Sequence, residues 1–126
     1  MQPVKNQGRL VRYIKEIGSA LKYIHSCGVI HGDLKLANVF AHREEGSEFQ
    51  LKLADFGLSL IIEKDTGKAY RDLAAGTLGY LAPEVKDNSY VTTAVDIWSF
   101  GIMVYEMCVA YKPTDWGGYK YGKRVD

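Results

Sequence analysis

The chain reads as an α+β fold, mainly helical, with one short β-hairpin between two helices. Three observations carry that reading. Apolar residues recur at steps of three and four over residues 10–24, two short apolar runs flank a polar turn over residues 39–53, and residues 96–110 are apolar almost throughout. A length of 126 residues suits one domain with a buried core. A net charge of +1 supplies no field to draw nucleic acid or an anionic membrane, so neither partner is expected. The opening residues hold no apolar run of the kind a secretory leader needs. The longest apolar stretch, residues 97–111, is too short for a membrane span and carries Glu106. Cys27 and Cys108 show neither zinc nor redox spacing, and read as two reduced, mostly buried thiols. The expected compartment is the cytoplasm, with the nucleus as a second possibility.

Taken in order, Leu10, Tyr13, Ile14, Ile17, Leu21 and Ile24 form one apolar helical face, with Lys5, Arg12, Lys15, Glu16 and Lys22 on the solvated side. Gly28 is placed to stop that helix, because glycine accepts the left-handed conformation at a helix end. His25, beside the stop, reads as a packing or capping residue. Val29 and Ile30 make a short extended entry into a loop at residues 31–38. Residues 39–41 and 51–53 then read as two strands joined through the polar turn at 43–48. Glu44, Glu45 and Glu48 in that turn lack the ligand alternation of a calcium loop, so a solvated turn is the reading. Residues 58–81 have little period and three scattered glycines, and a loop of that length inside a domain is usually functional. Thr92 or Thr93 is suited to cap the helix that follows, whose apolar circumference predicts burial on most sides. Met103 and Met107, four apart, share one face of it and are expected in the core. Residues 111–126, rich in Gly and Tyr with Lys112, Lys120, Lys123 and Arg124, read as loop.

The chemistry is concentrated in two short stretches, HGDLKLAN at residues 31–38 and DFG at 55–57. Asp33, Lys35 and Asn38 share one loop, and the hairpin brings Asn38 and Asp55 to neighbouring strand ends. Phosphoryl transfer uses such a set: a carboxylate to accept a hydroxyl proton, an ammonium near the moving phosphate, and two oxygen ligands for Mg²⁺. The order H-x-D-L-K-x-x-N, then D-F-G, then A-P-E at Ala82, Pro83 and Glu84 resembles the protein kinase signature. GTLGYLAPE at 76–84 and DIWSFG at 96–101 resemble the same family. DFG alone would be weak, but the conjunction in this order is specific. Small-molecule phosphotransferases of the aminoglycoside and choline kinase type share an H-G-D loop with a later Asn and Asp. They do not usually carry Lys at the second position after the Asp, nor the two later blocks.

The resemblance implies a kinase large lobe, mainly α-helical, with a short β-hairpin at the catalytic loop. It implies ATP and Mg²⁺ as cofactors and a protein substrate bearing Ser or Thr, the latter from D-L-K-x-x-N together with Thr77. It makes Asp33 the base or orienter of the attacking hydroxyl and Lys35 the cation on the transferring phosphoryl. Asn38 and Asp55 become the Mg²⁺ ligands, and Phe40 lies under the adenine, so that Lys35, Asn38, Phe40 and Asp55 together contact ATP. Thr77 hydrogen-bonds toward Asp33 and Lys35 at the substrate platform. His31 and Phe56 stack as part of a hydrophobic spine, Asp96 anchors the loop backbone, and Met103 and Met107 support Val39 and Ala41. Glu84 normally pairs with an Arg further along than this sequence extends, and Arg124 comes too early for that part.

Two departures from the family pattern stand out. Gly32 replaces the usual Arg of the H-R-D loop, which pairs with a phosphorylated activation-segment residue. Phosphorylation at Ser59, Thr66 or Tyr70 is therefore not expected to be required for activity. Second, no Gly-rich phosphate loop, strand lysine or partner glutamate precedes Leu10. Residues 1–126 are thus expected to form one partial kinase domain with the small lobe absent. On that expectation this stretch by itself is inactive or weakly nucleotide-binding and exposes apolar surface. The alternative is a catalytically silent kinase-like fragment that serves as a protein-binding module.

Overall fold

The computed structural model describes residues 7–47, 50–72, 75–87 and 89–109, together with the backbone of residues 119–120 and 123–124. The expectations placed on Lys5, on Glu48 and on most of the 111–126 tail lie outside the described residues. The elements run α1 (Gln7–Ser26), β1 (Val29–Ile30), β2 (Val39–His42), β3 (Gln50–Leu53), β4 (Leu60–Ile61), β5 (Ala69–Tyr70), β6 (Tyr90–Val91), α2 (Ala94–Val109), β7 (Tyr119–Lys120) and β8 (Lys123–Arg124). Short 3₁₀ turns cover Leu36–Asn38 and Pro83–Lys86.

α1 forms where the apolar period predicts it, and its inward face places Ile17 and Leu21 in the core. The helix closes when Gly28 turns to a φ of +76° and donates its N–H to the His25 carbonyl at 3.0 Å. β2 and β3 pair antiparallel with Val39 opposite Leu53 and Ala41 opposite Leu51. That register turns Val39, Leu51 and Leu53 onto the core and leaves Phe40 and Lys52 facing out. The turn between them is held locally, with Arg43 Nε and the Ser47 amide donating to the Ser47 and Glu44 carbonyls, at 2.9 and 3.0 Å.

Two apolar clusters meet at Trp98 of α2, which packs against both. One joins Ile17, Leu21, Leu34, Tyr80, Ile102, Met103 and Met107. The other gathers Ile30, Ala69, Ala82, Val85, Val91 and Val95. Met103 is 0% exposed, as its heptad-like partner Met107 nearly is. Val39 packs on this cluster with Leu51 and Leu53, whereas Ala41, expected over the methionines, is exposed. Thr92 supplies the α2 cap, its Oγ1 accepting the Ala94 amide at 3.2 Å.

Three further expectations need correction. The stretch after DFG is not period-free loop: β4 pairs with β1 (Ile30 opposite Leu60) and β5 pairs with β6 (Ala69 opposite Val91). Strands of two residues are too short to show alternation in sequence. α2 is buried or half-buried over most of its circumference, as expected, but leaves one stripe open. Ile97 is 55% exposed, and Glu84, Ala94, Ile97, Trp98, Gly101 and Ile102 line an open, largely apolar groove of about 490 Å³. Cys27 and Cys108 are free but exposed, Cys27 because it falls in the turn after α1 and Cys108 because it lies on the outer face of α2. Within the tail, β7 and β8 form an antiparallel pair (Tyr119 opposite Arg124) where loop was expected.

Candidate active site

The loop at residues 31–38 is fixed from below before it presents any chemistry. Asp96, in the first turn of α2 and 1% exposed, accepts the His31 amide at 2.7 Å and the His25 Nε2 at 2.8 Å on Oδ2. Its Oδ1 accepts the Gly32 amide at 3.1 Å. His25, read from sequence as packing or capping, thus joins the end of α1 to the start of α2. His31 is fully buried and bridges the loop to the hairpin, with Nε2 on the Ala54 carbonyl at 2.9 Å and Nδ1 facing the Asp33 amide at 3.2 Å. Those two contacts require the tautomer with the proton on Nε2, because a carbonyl only accepts and an amide N–H only donates. The His31 and Phe56 rings sit 4.8 Å apart at 54°, the contact expected of them.

Gly32 answers a conformational demand. Its φ is +85°, and a Cβ there would lie 2.4 Å from the Leu58 carbonyl oxygen. The residue that departs from the family pattern is thus the residue that admits this close approach.

Above that base the polar groups converge. Thr77 Oγ1 donates to Asp33 Oδ1 at 2.6 Å and accepts from Lys35 Nζ at 2.8 Å, while Lys35 Nζ lies 3.7 Å from Asp33 Oδ2. Three side chains from sequence positions 33, 35 and 77 make one continuous polar chain. Asn38 is buried and donates Nδ2 to the Asp33 carbonyl at 2.7 Å, which leaves Oδ1 as the acceptor of its side chain. Its own carbonyl accepts the Ala54 amide at 2.8 Å, which sets Asn38 and Asp55 at the same end of the hairpin. Asp55 is exposed and, among the described residues, the one non-glycine with positive φ, at +57°. Its Oδ1 accepts the Gly57 amide at 3.4 Å. Phe40, 57% exposed, stands on the outer face of β2. Glu84 is exposed at the rim of the α2 groove.

The chain matches the protein kinase domain over residues 3–120. It belongs to the protein kinase family. It is 40% identical over 103 residues to the serine/threonine-protein kinase zyg-8 of Caenorhabditis elegans, covering 82% of this chain and 13% of that protein. It is 38% identical over 105 residues to protein kinase C delta type of Homo sapiens, covering 83% and 15%. With serine/threonine-protein kinase PLK1 of Xenopus laevis it shares 41% over 103 residues, 82% and 16% of the two chains. This kinase chain therefore spans about a sixth or less of the length of these relatives.

Sequence reasoning missed two buried groups of the kinase chain. Arg71 follows β5, is 5% exposed, and directs its guanidinium to the Val85 and Ala75 carbonyls. Burial lowers its pKa, with Asp72 acting in the opposite direction. Tyr80 lies in the first cluster, and burial followed by its hydrogen bond to Glu106 raises its pKa well above the ordinary tyrosine value. No local pattern announces either, since their partners are backbone carbonyls and a residue 26 positions away.

Proposed function

We propose that this chain carries the catalytic loop of a serine/threonine protein kinase, transferring the γ-phosphoryl group of ATP to a Ser or Thr hydroxyl of a protein substrate. The observation that carries the reading is the Asp33, Thr77, Lys35 chain. Thr77 occupies Asp33 Oδ1, so Oδ2 is the atom left to orient the attacking hydroxyl and take its proton. Lys35, held beside the same carboxylate, is placed to offset charge that builds on the transferring group. Thr77, hydrogen-bonded to Asp33 and Lys35, supports the choice of a Ser or Thr hydroxyl, as does the serine/threonine specificity in the names of the relatives. A silent binding module would have no use for this arrangement.

The donor set suits Mg²⁺. Asp55 offers a carboxylate and Asn38 an amide oxygen at one hairpin end, hard ligands of the type this ion takes. Among the described residues no three His, Cys, Asp or Glu side chains cluster to hold a metal by themselves. Two protein ligands with nucleotide phosphates completing the shell is the usual magnesium arrangement in phosphotransferases. When bound, the ion offsets phosphate charge; the protein's part is to hold Asp55 in its left-handed conformation and Asn38 by its amide nitrogen.

The test is a phosphotransfer assay on the native polypeptide that carries this chain, with a Ser or Thr peptide and ATP·Mg²⁺. Asp33→Asn keeps the shape and removes the base, and kcat is expected to fall about 10²- to 10⁴-fold. Transfer by Asp33→Asn at the wild-type rate would sink the reading.

A further inference from the structure

We infer that Arg71 is a positioning residue, a strut within the segment after DFG that holds the Thr77 region in shape for a peptide substrate with no phosphate needed. This rests on the proposed function above. The segment has to be ordered for Thr77 to reach Asp33 and Lys35. A cation on the catalytic loop cannot do it here, because position 32 is glycine and even a Cβ would collide with the Leu58 carbonyl. Arg71 lines the same small cavity as Gly32 and Asp96, so its guanidinium enters the region where position 32 brings no side chain.

The contacts of that guanidinium define the job. Nη2 donates to the Ala75 carbonyl and Nη1 to the Val85 carbonyl, at 3.5 Å in the second case. Ala75 comes two residues before Thr77, and Val85 lies in the 3₁₀ turn that ends the same stretch. The planar fork therefore joins the entry and the exit of residues 76–84, the loop that carries Thr77. The strut has a fixed base as well. The Arg71 amide donates to the Ser89 carbonyl at 2.6 Å, continuing the β5 and β6 pairing beyond Tyr70. The packing around the loop is close, since a Cβ on Gly76 would lie 2.4 Å from Leu81 Cδ2 and 3.5 Å from Arg71 Nη2. Both bridged groups are backbone carbonyls, present whatever the phosphorylation state of Ser59, Thr66 or Tyr70.

The experiment compares wild type, Arg71→Lys and Arg71→Met in the native polypeptide after phosphatase treatment. Lysine keeps the charge but is a single point donor that cannot span two carbonyls as the fork does. Wild type is expected to keep its activity after phosphatase. Arg71→Lys is expected to raise the peptide KM about tenfold while the ATP KM stays within about twofold, the size of a lost charge-assisted hydrogen bond. Equal changes in both KM values, or none, would overturn the strut, as would loss of wild-type activity with phosphatase. Amide hydrogen exchange is read in parallel and needs no activity. Protection lost in Arg71→Lys over residues 75–85, with α1 and the β2–β3 hairpin unchanged, supports the strut. Unchanged protection, or loss throughout the chain, overturns it. Should wild type transfer no phosphate at all, the functional reading fails while the exchange result still decides the strut.

Discussion

At the scale of single residues, Gly32 shows how a departure from a family pattern can be built into a backbone. Its φ of +85° and the 2.4 Å approach to the Leu58 carbonyl leave no room for a side chain. Restoring the family arginine by Gly32→Arg is therefore expected to lower stability by at least about 1–2 kcal/mol, from the left-handed backbone alone. A urea titration against wild type measures it, and an unchanged midpoint would contradict the account. The residues that carry the proposed chemistry were legible in the sequence because they lie close together along it. Asp33, Lys35 and Asn38 sit within six positions, and the structure brings Thr77 to them as expected. His25 and Arg71 were not legible. The first finds its partner 71 residues away on α2, and the second bonds backbone carbonyls, which any sequence supplies.

At the scale of elements, legibility follows length. α1 repeats its apolar period over several turns, α2 is apolar almost throughout, and two short apolar runs flank the polar turn between β2 and β3, so each was readable. β4, β5 and β6 have two residues apiece, and their pairing depends on strands 30 and 20 residues away. The inward stripe of α2 was also readable, but the exposure of its other flank was not, because hydropathy shows only that a face wants cover. Met103 tests the readable part. It is fully buried between α1 and the hairpin, and Met103→Ala is expected to cost roughly 2–5 kcal/mol. Chemical denaturation followed by circular dichroism measures that cost, and a loss under about 1 kcal/mol would mean that the cluster closes over the gap.

At the scale of the whole molecule, Tyr80 ties global stability to alkaline pH. Burial and the Glu106 hydrogen bond raise its pKa above the ordinary value of 10.0. The folded state therefore holds its phenolic proton where the unfolded chain releases it. That contribution is complete below about pH 10 and is lost as pH rises through the higher folded value. The urea midpoint is expected to fall from ~pH 9 to ~pH 11, and Tyr80→Phe is expected to flatten part of that fall while lowering the midpoint at ~pH 9. A wild-type slope unchanged in Tyr80→Phe would remove Tyr80 from the account. No described helix is long and apolar enough to cross a membrane. Asp96 has a reach of another kind. One carboxylate receives the end of α1 through His25 and the two amides that lead into Asp33. The stability of the fold and the proposed phosphoryl transfer thus draw on the same atoms. Loosening this joint is expected to loosen the fold together with the loop at residues 31–38, because a single carboxylate holds both.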